Sequence, residues 1–428
     1  MTNVIAQQGL NYQPGADWRT SRRAPSRSGR LAAWLVFGGA LFPGGVVTIN
    51  MLGPKLTVGR IGILLLLIPA LIKLTRANRR LILSDYLVCM AAAWMIGTAA
   101  YTGDGDDISS AAAESIEYAG GYFVARGLLF GYAALTSMTK VLKIVALVAI
   151  SLALADNLSG RLVTYNTLAQ LSGSASLLGV DFRMGMVRAA STFDHPILFG
   201  TFCSITGIIF LSTETASKRI LWVGLCLFGC FLSLSSAPML FFLLAIATFA
   251  YDKLMKQFPW RWSAFWIAIS AVLLVIFVVT NHPIGWIISH LTLDPESGYF
   301  RLLIWDTALP KIAEEPWTGY AFNSLDDYIL DYTVDCVWLT LALRFGVPLV
   351  VLIILTNITA ILPSGAPRNL RRNTTQMDEL RPGFTRVLLI IMLTGLTVHY
   401  WHYIWIYWGL CVGVRASLRE QSMTGYQP

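Results

Sequence analysis

Long apolar runs alternate with short polar segments along most of this 428-residue chain. Because the hydrocarbon core of a bilayer is about 30 Å thick, a helix of about 20 apolar residues can cross it. Windows of that length predict about twelve spans, or ten if weakly separated neighbours are merged, near residues 31–50, 57–74, 81–101, 115–136, 140–157, 196–213, 219–234, 235–252, 263–281, 345–361, 385–399 and 400–416. The pattern predicts an all-α, polytopic integral membrane protein.

The composition supports this class of protein. Hydrophobic residues make up 55% of the chain and charged residues 13%, whereas about a quarter of the residues in a soluble domain are charged. The first 30 residues are polar and arginine-rich, unlike a cleavable signal peptide, so the first apolar run is expected to remain as a span. The six cysteines lie in or beside apolar runs, without the spacing of a disulfide framework or a zinc site.

The basic residues predict an orientation. Lys and Arg in short loops stay in the cytoplasm. If the N-terminus is cytoplasmic, the segments on that side hold most of the 32 basic residues, and the acidic segment TGDGDD at 102–107 falls outside. Both termini are therefore predicted to be cytoplasmic. The net charge of +8 belongs to cytoplasmic segments, so no nucleic-acid partner is expected.

The predicted spans divide the chain into five regions. These are a basic tail at 1–30, nine helices within 31–281, a large outside loop at 282–344, three helices within 345–416 and a tail at 417–428. A second long outside segment covers residues 158–195, and segments of this length are usually functional or partly structured. All five histidines are predicted on the outside face: His195, His282, His290, His399 and His402. Any chemistry is therefore expected outside the cytoplasm.

The large loop has a helical pattern of its own. From residue 299 to 312 the apolar residues recur at spacings of three and four, which predicts an amphipathic interfacial helix with Arg301 and Asp306 on its polar face. Pro316 and Gly319 are expected to end it. A new helix is expected near Asp335, where a carboxylate suits the free backbone N–H groups of a first turn.

Two sets of residues resemble the O-antigen ligase and polysaccharide polymerase superfamily. The first lies at the start of an apolar span and consists of Arg188, His195, Pro196 and Gly200. The second runs through the large loop and consists of Ser297, Gly298, Arg301, Trp305, Ala308, Leu309, Ile312, Glu314 or Glu315, Pro316, Gly319 and Tyr320. SLSSAP at 233–238 resembles a span that follows a Ser-Arg-Gly signature in the family, although the arginine is absent here. The resemblance covers roughly residues 185–360.

The resemblance implies a GT-C-like glycosyltransferase of the bacterial inner membrane, active on the periplasmic face. Such enzymes take a glycan from undecaprenyl pyrophosphate. Polymerases pass it to another lipid-linked repeat unit, and ligases pass it to the lipid A core of lipopolysaccharide. Ligases commonly have a histidine at the start of the helix after the large loop, where this chain has Asp335. The difference favours an exopolysaccharide or O-antigen polymerase. The implied partners are the lipid-linked donor, an acceptor glycan or glycolipid, the bilayer, a flippase and a chain-length regulator.

The chemistry of this transfer suggests a role for each candidate residue. The leaving diphosphate needs stabilisation, and the acceptor hydroxyl must lose a proton. Arginine binds phosphate oxygens bidentately and stays charged. The expected diphosphate ligands are Arg188 and Arg301, followed by Arg183 and Arg126.

The expected base is Asp335, with His195 as the second choice. No DxD-like carboxylate pair lies beside the matched arginines, so neither a metal nor another cofactor is expected. The carboxylates at 104–107 and 325–327 are the exceptions that could hold a metal.

Several of these residues also have a purely structural interpretation. Arg188 could meet lipid phosphates at the interface, His195 could be a helix N-terminal contact, and Asp335 could be a helix cap. Arg126 lies within an apolar run, where an ionisable group usually marks function, although an ion pair with Asp85 explains it equally well.

The tract HYWHYIWIYW at 399–408 is open to two interpretations. Its two histidines could form a metal site, but an interfacial aromatic belt explains the tract more simply.

Two other classes of function are alternatives. A lipid-glycan flippase or other transporter is expected to show repeated halves with broken helices in matching positions, and the sequence shows no convincing internal repeat. A scaffold of a capsule secretion complex would not require arginines at matched depths.

Overall fold

The computed structural model describes residues 27–50, 55–76, 79–174, 178–280, 295–363 and 377–424. His282 and His290 lie outside these ranges. The described chain is mainly helical, which agrees with the predicted class. Its helices are α1 Arg27–Phe37, α2 Val58–Arg76, α3 Leu83–Thr102, α4 Gly105–Ser115, α5 Gly121–Leu128, α6 Tyr132–Ser159, α7 Val163–Leu171, α8 Pro196–Thr213, α9 Ala216–Leu232, α10 Ser236–Leu254, α11 Arg261–Val279, α12 Pro295–Glu314, α13 Tyr328–Tyr332, α14 Val337–Ile361, α15 Met377–Thr394 and α16 Tyr403–Thr424.

The described ranges also contain a 3-10 helix at Gly38–Leu41, a π-helical turn at Ile116–Gly120 and two short antiparallel hairpins. The hairpins pair β1 Thr48–Asn50 with β2 Lys55–Thr57, and β3 Phe182–Arg183 with β4 Met186–Val187. The second hairpin and α7 lie within residues 158–195, the segment predicted to lie outside, and this segment is therefore partly structured, as expected.

Seven helices of the described ranges are long and apolar enough to cross a membrane: α2, α3, α6, α8, α10, α11 and α14. Other predicted spans fall on helices that are shorter or more polar. The helix α5 has eight residues, and α16 includes Arg415, Arg419 and Glu420. Length and composition thus support a multi-pass protein, and the count of twelve stays a prediction.

The helix boundaries agree with some predicted windows and differ from others. The helix α8 covers the same residues as the window 196–213. The window 115–136 instead contains a π-helical turn at Ile116–Gly120, the short α5 and a break at Gly131, whose φ is +88°. Glycine adopts such a backbone without steric cost. The 28-residue α6 then begins directly after the break, so the window 140–157 covers only part of it.

The helix α8 lies in the centre of the bundle, where 89% of its apolar window is buried. It packs against α9, α10 and α15. The helix α16 approaches α5 closely, because Gly409 and Gly413 leave no side chain between the two backbones. By contrast, α11 has no buried residue, as expected for an apolar helix surrounded by lipid.

The helix α14 bends at Gly346, whose φ is +76°, two residues before Pro348. Proline has no N–H, so the carbonyl oxygen of Arg344 loses its usual helical partner. The amide of Ala321 replaces it with a hydrogen bond of 2.9 Å.

Two further backbone hydrogen bonds fasten the loop to this bend. Tyr320 N–H donates to the oxygen of Leu343 at 2.7 Å, and Val347 N–H donates to the oxygen of Pro316 at 2.8 Å. The motif residues 316–320 therefore hold the large loop against α14.

The predicted amphipathic helix corresponds to α12, which is somewhat longer than the pattern indicated. Ile304, Ala308 and Ile312 are buried, and α12 packs against α14. The apolar face of α12 therefore rests partly on protein.

Candidate active site

Five of the six predicted site residues lie on segments that meet at one end of the bundle. These residues are Arg183, Arg188, His195, Arg301 and Asp335, and together with Asp181 and Ser235 we call them the arginine cluster. The segment around the hairpin β3–β4 supplies Asp181, Arg183 and Arg188, and the start of α8 supplies His195. Ser235 lies in the turn between α9 and α10, and Arg301 lies on α12. Asp335 lies just before α14. The cluster is thus a tertiary feature assembled from distant segments.

Arg188 is buried and directly follows strand β4. Its Nη1 donates to Asp181 Oδ2 at 2.6 Å, and its Nη2 donates to Ser235 Oγ at 3.1 Å. Only 6% of the residue is exposed, so contact with bulk lipid headgroups does not explain its position. Its buried Nε has no partner among the described residues, and one donor therefore remains for a ligand.

Arg183 reaches the same turn from the hairpin. Met184 and Gly185 have positive φ, the geometry of a type I′ two-residue turn. Arg183 Nη1 donates to the oxygen of Leu234 at 3.0 Å, next to the Ser235 that Arg188 contacts. Both arginines of the hairpin therefore converge on the SLSSAP segment, which lacks an arginine of its own.

Arg301 is held by one turn of its own helix and by a loop. Its Nη1 donates to the backbone and side-chain oxygens of Ser297, at 3.2 and 3.1 Å, and its Nε donates to the oxygen of Thr397 at 3.0 Å. The serine of the family-like SG-x-x-R pattern therefore orients the arginine. The remaining terminal nitrogen, Nη2, lies 4.0 Å from Asp335 Oδ2.

Asp335 does not cap α14. The cap position is occupied by Cys336, whose side chain makes no capping hydrogen bond. The carboxylate of Asp335 instead accepts a hydrogen bond of 3.1 Å from Thr333 and keeps 29% of its side chain exposed. The structural alternative considered from the sequence is therefore wrong, and the carboxylate is accessible to a ligand.

His195 is the N-terminal cap of α8, as the structural alternative suggested. Its Nδ1 accepts a hydrogen bond of 3.1 Å from Ile197 N–H. Burial and then the charge of Arg188 lower its pKa to about 4, and Asp335 and Arg301 also act on it. His195 therefore lies within electrostatic range of the arginines and of Asp335.

This geometry changes the chemistry expected of His195. A nitrogen that accepts a hydrogen bond carries no proton, so the neutral ring has its proton on Nε2. The lone pair that a base would use is already occupied, and His195 is a hydrogen-bond donor here. This arrangement favours a hydrogen-bond donor over the predicted second-choice base, and the catalytic role of His195 stays a prediction.

Arg126 belongs to a different site. Its Nε and Nη2 donate to Asp85 at 2.8 and 3.0 Å, and its Nη1 donates to Glu420. Arg79 also binds Glu420, and we call these four residues the Arg126 network. The ion pair with Asp85 is thus the correct interpretation of Arg126.

The two sites are well separated. The ring of Trp401, just before α16, lies 5.9 Å from the ring of His195, whereas Glu420 lies near the other end of α16. At about 1.5 Å per helical residue, Tyr403 and Glu420 are about 25 Å apart. The structure therefore gives Arg126 no part in the arginine cluster.

The two predicted metal alternatives have structural explanations. Asp104 accepts hydrogen bonds from the amides of Asp106 and Asp107 and caps α4, while Asp327 caps α13 in the same way. Within the described ranges, no three His, Cys, Asp or Glu side chains are placed to hold a metal ion. Metal independence itself stays a prediction.

A charged group near His402 was not predicted from the sequence. His402 Nδ1 lies 3.7 Å from Glu117 and its Nε2 lies 4.0 Å from Asp194, and Glu117 also pairs with Arg60 at 2.8 Å. Burial disfavours the charged ring, but the interaction with Glu117 raises the pKa of His402 above its ordinary value. Only the tertiary fold brings together residues from α2, the π turn and the 399–402 segment.

A cavity of about 310 Å³ lies beside the arginine cluster, and we call it the loop cavity. It is lined by the 321–334 segment, the first half of α14 and the 399–401 segment, including Asn323, Tyr332, Thr333, Arg344, His399 and Trp401. No sequence pattern indicates this cavity, because its walls are far apart along the chain.

Comparison with known proteins supports the predicted class. Residues 221–354 match the family model described as O-antigen ligase. This segment contains Arg301 and Asp335, whereas Arg188 and His195 precede it. No curated protein matches the chain significantly.

The fold and the cluster are those of a multi-pass helical membrane protein with a charged site at one end of the bundle. Its residues 221–354 are similar to the O-antigen ligase family. The resemblance seen in the sequence is thereby confirmed for this part of the chain.

Proposed function

We propose that this protein polymerises oligosaccharide repeat units linked to undecaprenyl pyrophosphate, at the periplasmic face of the bacterial inner membrane. The observation that carries the proposal is the convergence of Arg188, Arg301 and Asp335 around His195. The cluster combines groups that bind phosphate with an accessible carboxylate, as this transfer requires. The proposed membrane architecture is GT-C-like, with about twelve helices and both termini in the cytoplasm.

The donor diphosphate binds the guanidinium groups of the cluster. Arg188 offers its unpartnered Nε, and Arg301 contributes a guanidinium whose Nη2 lies 4.0 Å from Asp335 Oδ2. With Arg183, the cluster holds three arginines and two carboxylates, those of Asp181 and Asp335. His195 donates its Nε2–H to a phosphate oxygen without adding a charge that must be neutralised. Negative charge that develops on the leaving diphosphate is stabilised by these preorganised donors.

Asp335 acts as the general base. It accepts the proton of the acceptor hydroxyl while the acceptor oxygen forms a bond to the anomeric carbon of the donor sugar. The bond between that carbon and the phosphate oxygen breaks, and undecaprenyl pyrophosphate leaves with the electron pair. The exposed edge of Asp335 and its support by Thr333 suit this role.

A direct test uses the purified protein in nanodiscs with lipid-linked repeat units isolated from its host. The expected result is the formation of longer lipid-linked glycans together with release of undecaprenyl pyrophosphate, measured by gel electrophoresis and mass spectrometry. Asp335→Asn is expected to abolish both products, and Asp306→Asn on the exposed face of α12 is the matched control. Full activity of Asp335→Asn would refute the assignment of the base.

A ligase that transfers the glycan to the lipid A core is the second candidate, because the family model is described as O-antigen ligase. Deletion of the protein in its host separates the two. Loss of long polymer with single repeat units still on the surface supports a polymerase, whereas polymer stranded on the lipid carrier supports a ligase. A flippase is instead indicated if repeat units accumulate on the cytoplasmic face.

A further inference from the structure

The loop cavity borders the proposed base on one side. Thr333 lines the cavity and donates its hydroxyl to Asp335. Trp401 also lines the cavity, and its ring contacts the rings of both His195 and His399. A molecule in the cavity would therefore contact Thr333, which donates to Asp335, and Trp401, whose ring contacts that of His195.

The charged residues of the cavity wall are already paired. Arg344 forms an ion pair of 2.6 Å with Glu114, and its guanidinium lies 4.6 Å from the ring centre of Phe322. Asp331 accepts hydrogen bonds from Ser324 Oγ and from the amide of Leu325. The cavity therefore suits an uncharged ligand better than a second phosphate, in contrast to the arginine cluster.

His399 is a polar residue of the cavity wall whose hydrogen-bonding capacity is not fully used within the described residues. It lines the cavity, only 7% of the residue is exposed, and its buried Nδ1 has no hydrogen-bond partner in the described part of the chain. Burial, with a smaller effect of Arg344, holds its pKa well below the ordinary value, so the ring is neutral. A neutral imidazole can both donate and accept a hydrogen bond, and a buried polar group normally has a partner.

The remaining wall residues have the chemistry that carbohydrates require. Tyr332 and Trp401 present aromatic surfaces with a polar edge, which suit the apolar C–H face of a sugar ring. Asn323, Thr333 and His399 present amide, hydroxyl and imidazole groups, which suit its hydroxyl groups. The volume of about 310 Å³ is at the lower end of the range typical of small-ligand pockets.

We propose that the loop cavity binds an uncharged terminal sugar of the acceptor glycan and presents one of its hydroxyl groups to Asp335. This inference rests on the proposed function and assigns the two substrates to different places: the donor diphosphate to the arginine cluster, and the acceptor sugar to the loop cavity.

The test measures binding of the host's repeat-unit oligosaccharide, released from its carrier and therefore without lipid or phosphate, to the full-length protein in nanodiscs. Tyr332→Ala and His399→Ala are each expected to weaken binding about tenfold, since they remove an aromatic surface and a hydrogen-bonding group. Tyr328→Ala is the matched control, because Tyr328 lies on the same short helix, is 90% exposed compared with 77% for Tyr332, and does not line the cavity. Arg301→Ala should bind the free oligosaccharide like the wild type.

The outcomes separate the two proposals. The subsite is wrong if the wild type transfers glycan but does not bind the free oligosaccharide, or if Tyr332→Ala and Tyr328→Ala bind it equally. The proposed function is wrong if no transfer is seen from the lipid-linked donor, whatever the cavity binds. If Arg301→Ala still binds the free oligosaccharide but no longer transfers glycan, the result supports both the subsite and the proposed function.

Discussion

The arginine cluster and the Arg126 network differ in how deeply the carboxylates that face their arginines are buried. In the network, Arg126 is fully buried and its guanidinium donates to two carboxylates, Asp85 and Glu420. In the cluster, Arg301 lies 4.0 Å from Asp335, whose side chain is 29% exposed, and Arg188 pairs with Asp181, whose side chain is 58% exposed. Pairs with buried carboxylates hold helices together, whereas an arginine that pairs with an exposed carboxylate can exchange it for a ligand. Burial of an arginine alone does not distinguish these roles.

The largest expected effect is on catalysis by the arginine cluster. Arg301→Ala removes a donor aimed at the developing diphosphate charge, so the transfer rate should fall about 10²- to 10³-fold. Lys311→Ala on the same helix is the control, since the Lys311 side chain pairs with Glu314 and lies over the ring of Tyr320, neither of which belongs to the arginine cluster. Initial rates with the lipid-linked donor and thermal unfolding of both variants provide the comparison. A rate near that of the wild type would show that Arg301 does not bind the leaving group.

The opposite result is expected for the Arg126 network. Arg126→Ala leaves Asp85 buried without its arginine and removes one of the two arginines that pair with Glu420, which should cost about 3–5 kcal/mol of stability. Thermal unfolding in detergent and the yield of folded protein measure this loss. The double variant Arg126→Leu with Asp85→Leu should recover part of it. If Arg126→Ala folds normally and loses only activity, the distinction between the two sites is wrong.

A smaller effect is expected from pH. Since the pKa of His195 is about 4 in the folded protein and lies below the ordinary value of 6.5, the unfolded chain binds more protons between these pH values. The neutral ring makes its full contribution to stability above pH 6.5, and this contribution is lost as the pH falls toward 4. The free energy of unfolding should fall by at most about 1.4 kcal/mol per pH unit in this range. His195→Asn, which can still cap α8, should lack this dependence. Equal pH dependence in both proteins would contradict the proposed environment of His195.

The smallest expected effect concerns Asp181. This exposed carboxylate competes with a phosphate for Arg188, and an exposed ion pair contributes at most about 1 kcal/mol. Asp181→Asn should therefore bind the lipid-linked donor about two- to fivefold more tightly, with unfolding little changed. Binding that weakens instead would mean that Asp181 chiefly positions Arg188.

Much of this arrangement could be predicted from local patterns. The bounds of α8 followed from the length of an apolar run beginning at Pro196, and α12 followed from the periodicity around Arg301. Chain order and orientation also suggested that Arg188, His195, Arg301 and Asp335 share one face.

Other features depend on tertiary contacts that no single stretch of sequence encodes. The pairing of Arg188 with Ser235 joins segments that are distant along the chain. Whether Arg126 binds substrate or Asp85 depends on which helices are neighbours. The proton position on His195 follows from one backbone amide, that of Ile197, and the loop cavity exists only when three separate segments meet.

The bend in α14 also affects how the substrate range could be altered. Main-chain atoms of Pro316, Tyr320 and Ala321 secure the loop to the helix, so exchange of side chains in the loop cavity leaves these attachments in place. Engineering that cavity for a different sugar therefore need not disturb the anchoring of the segment that carries Arg301.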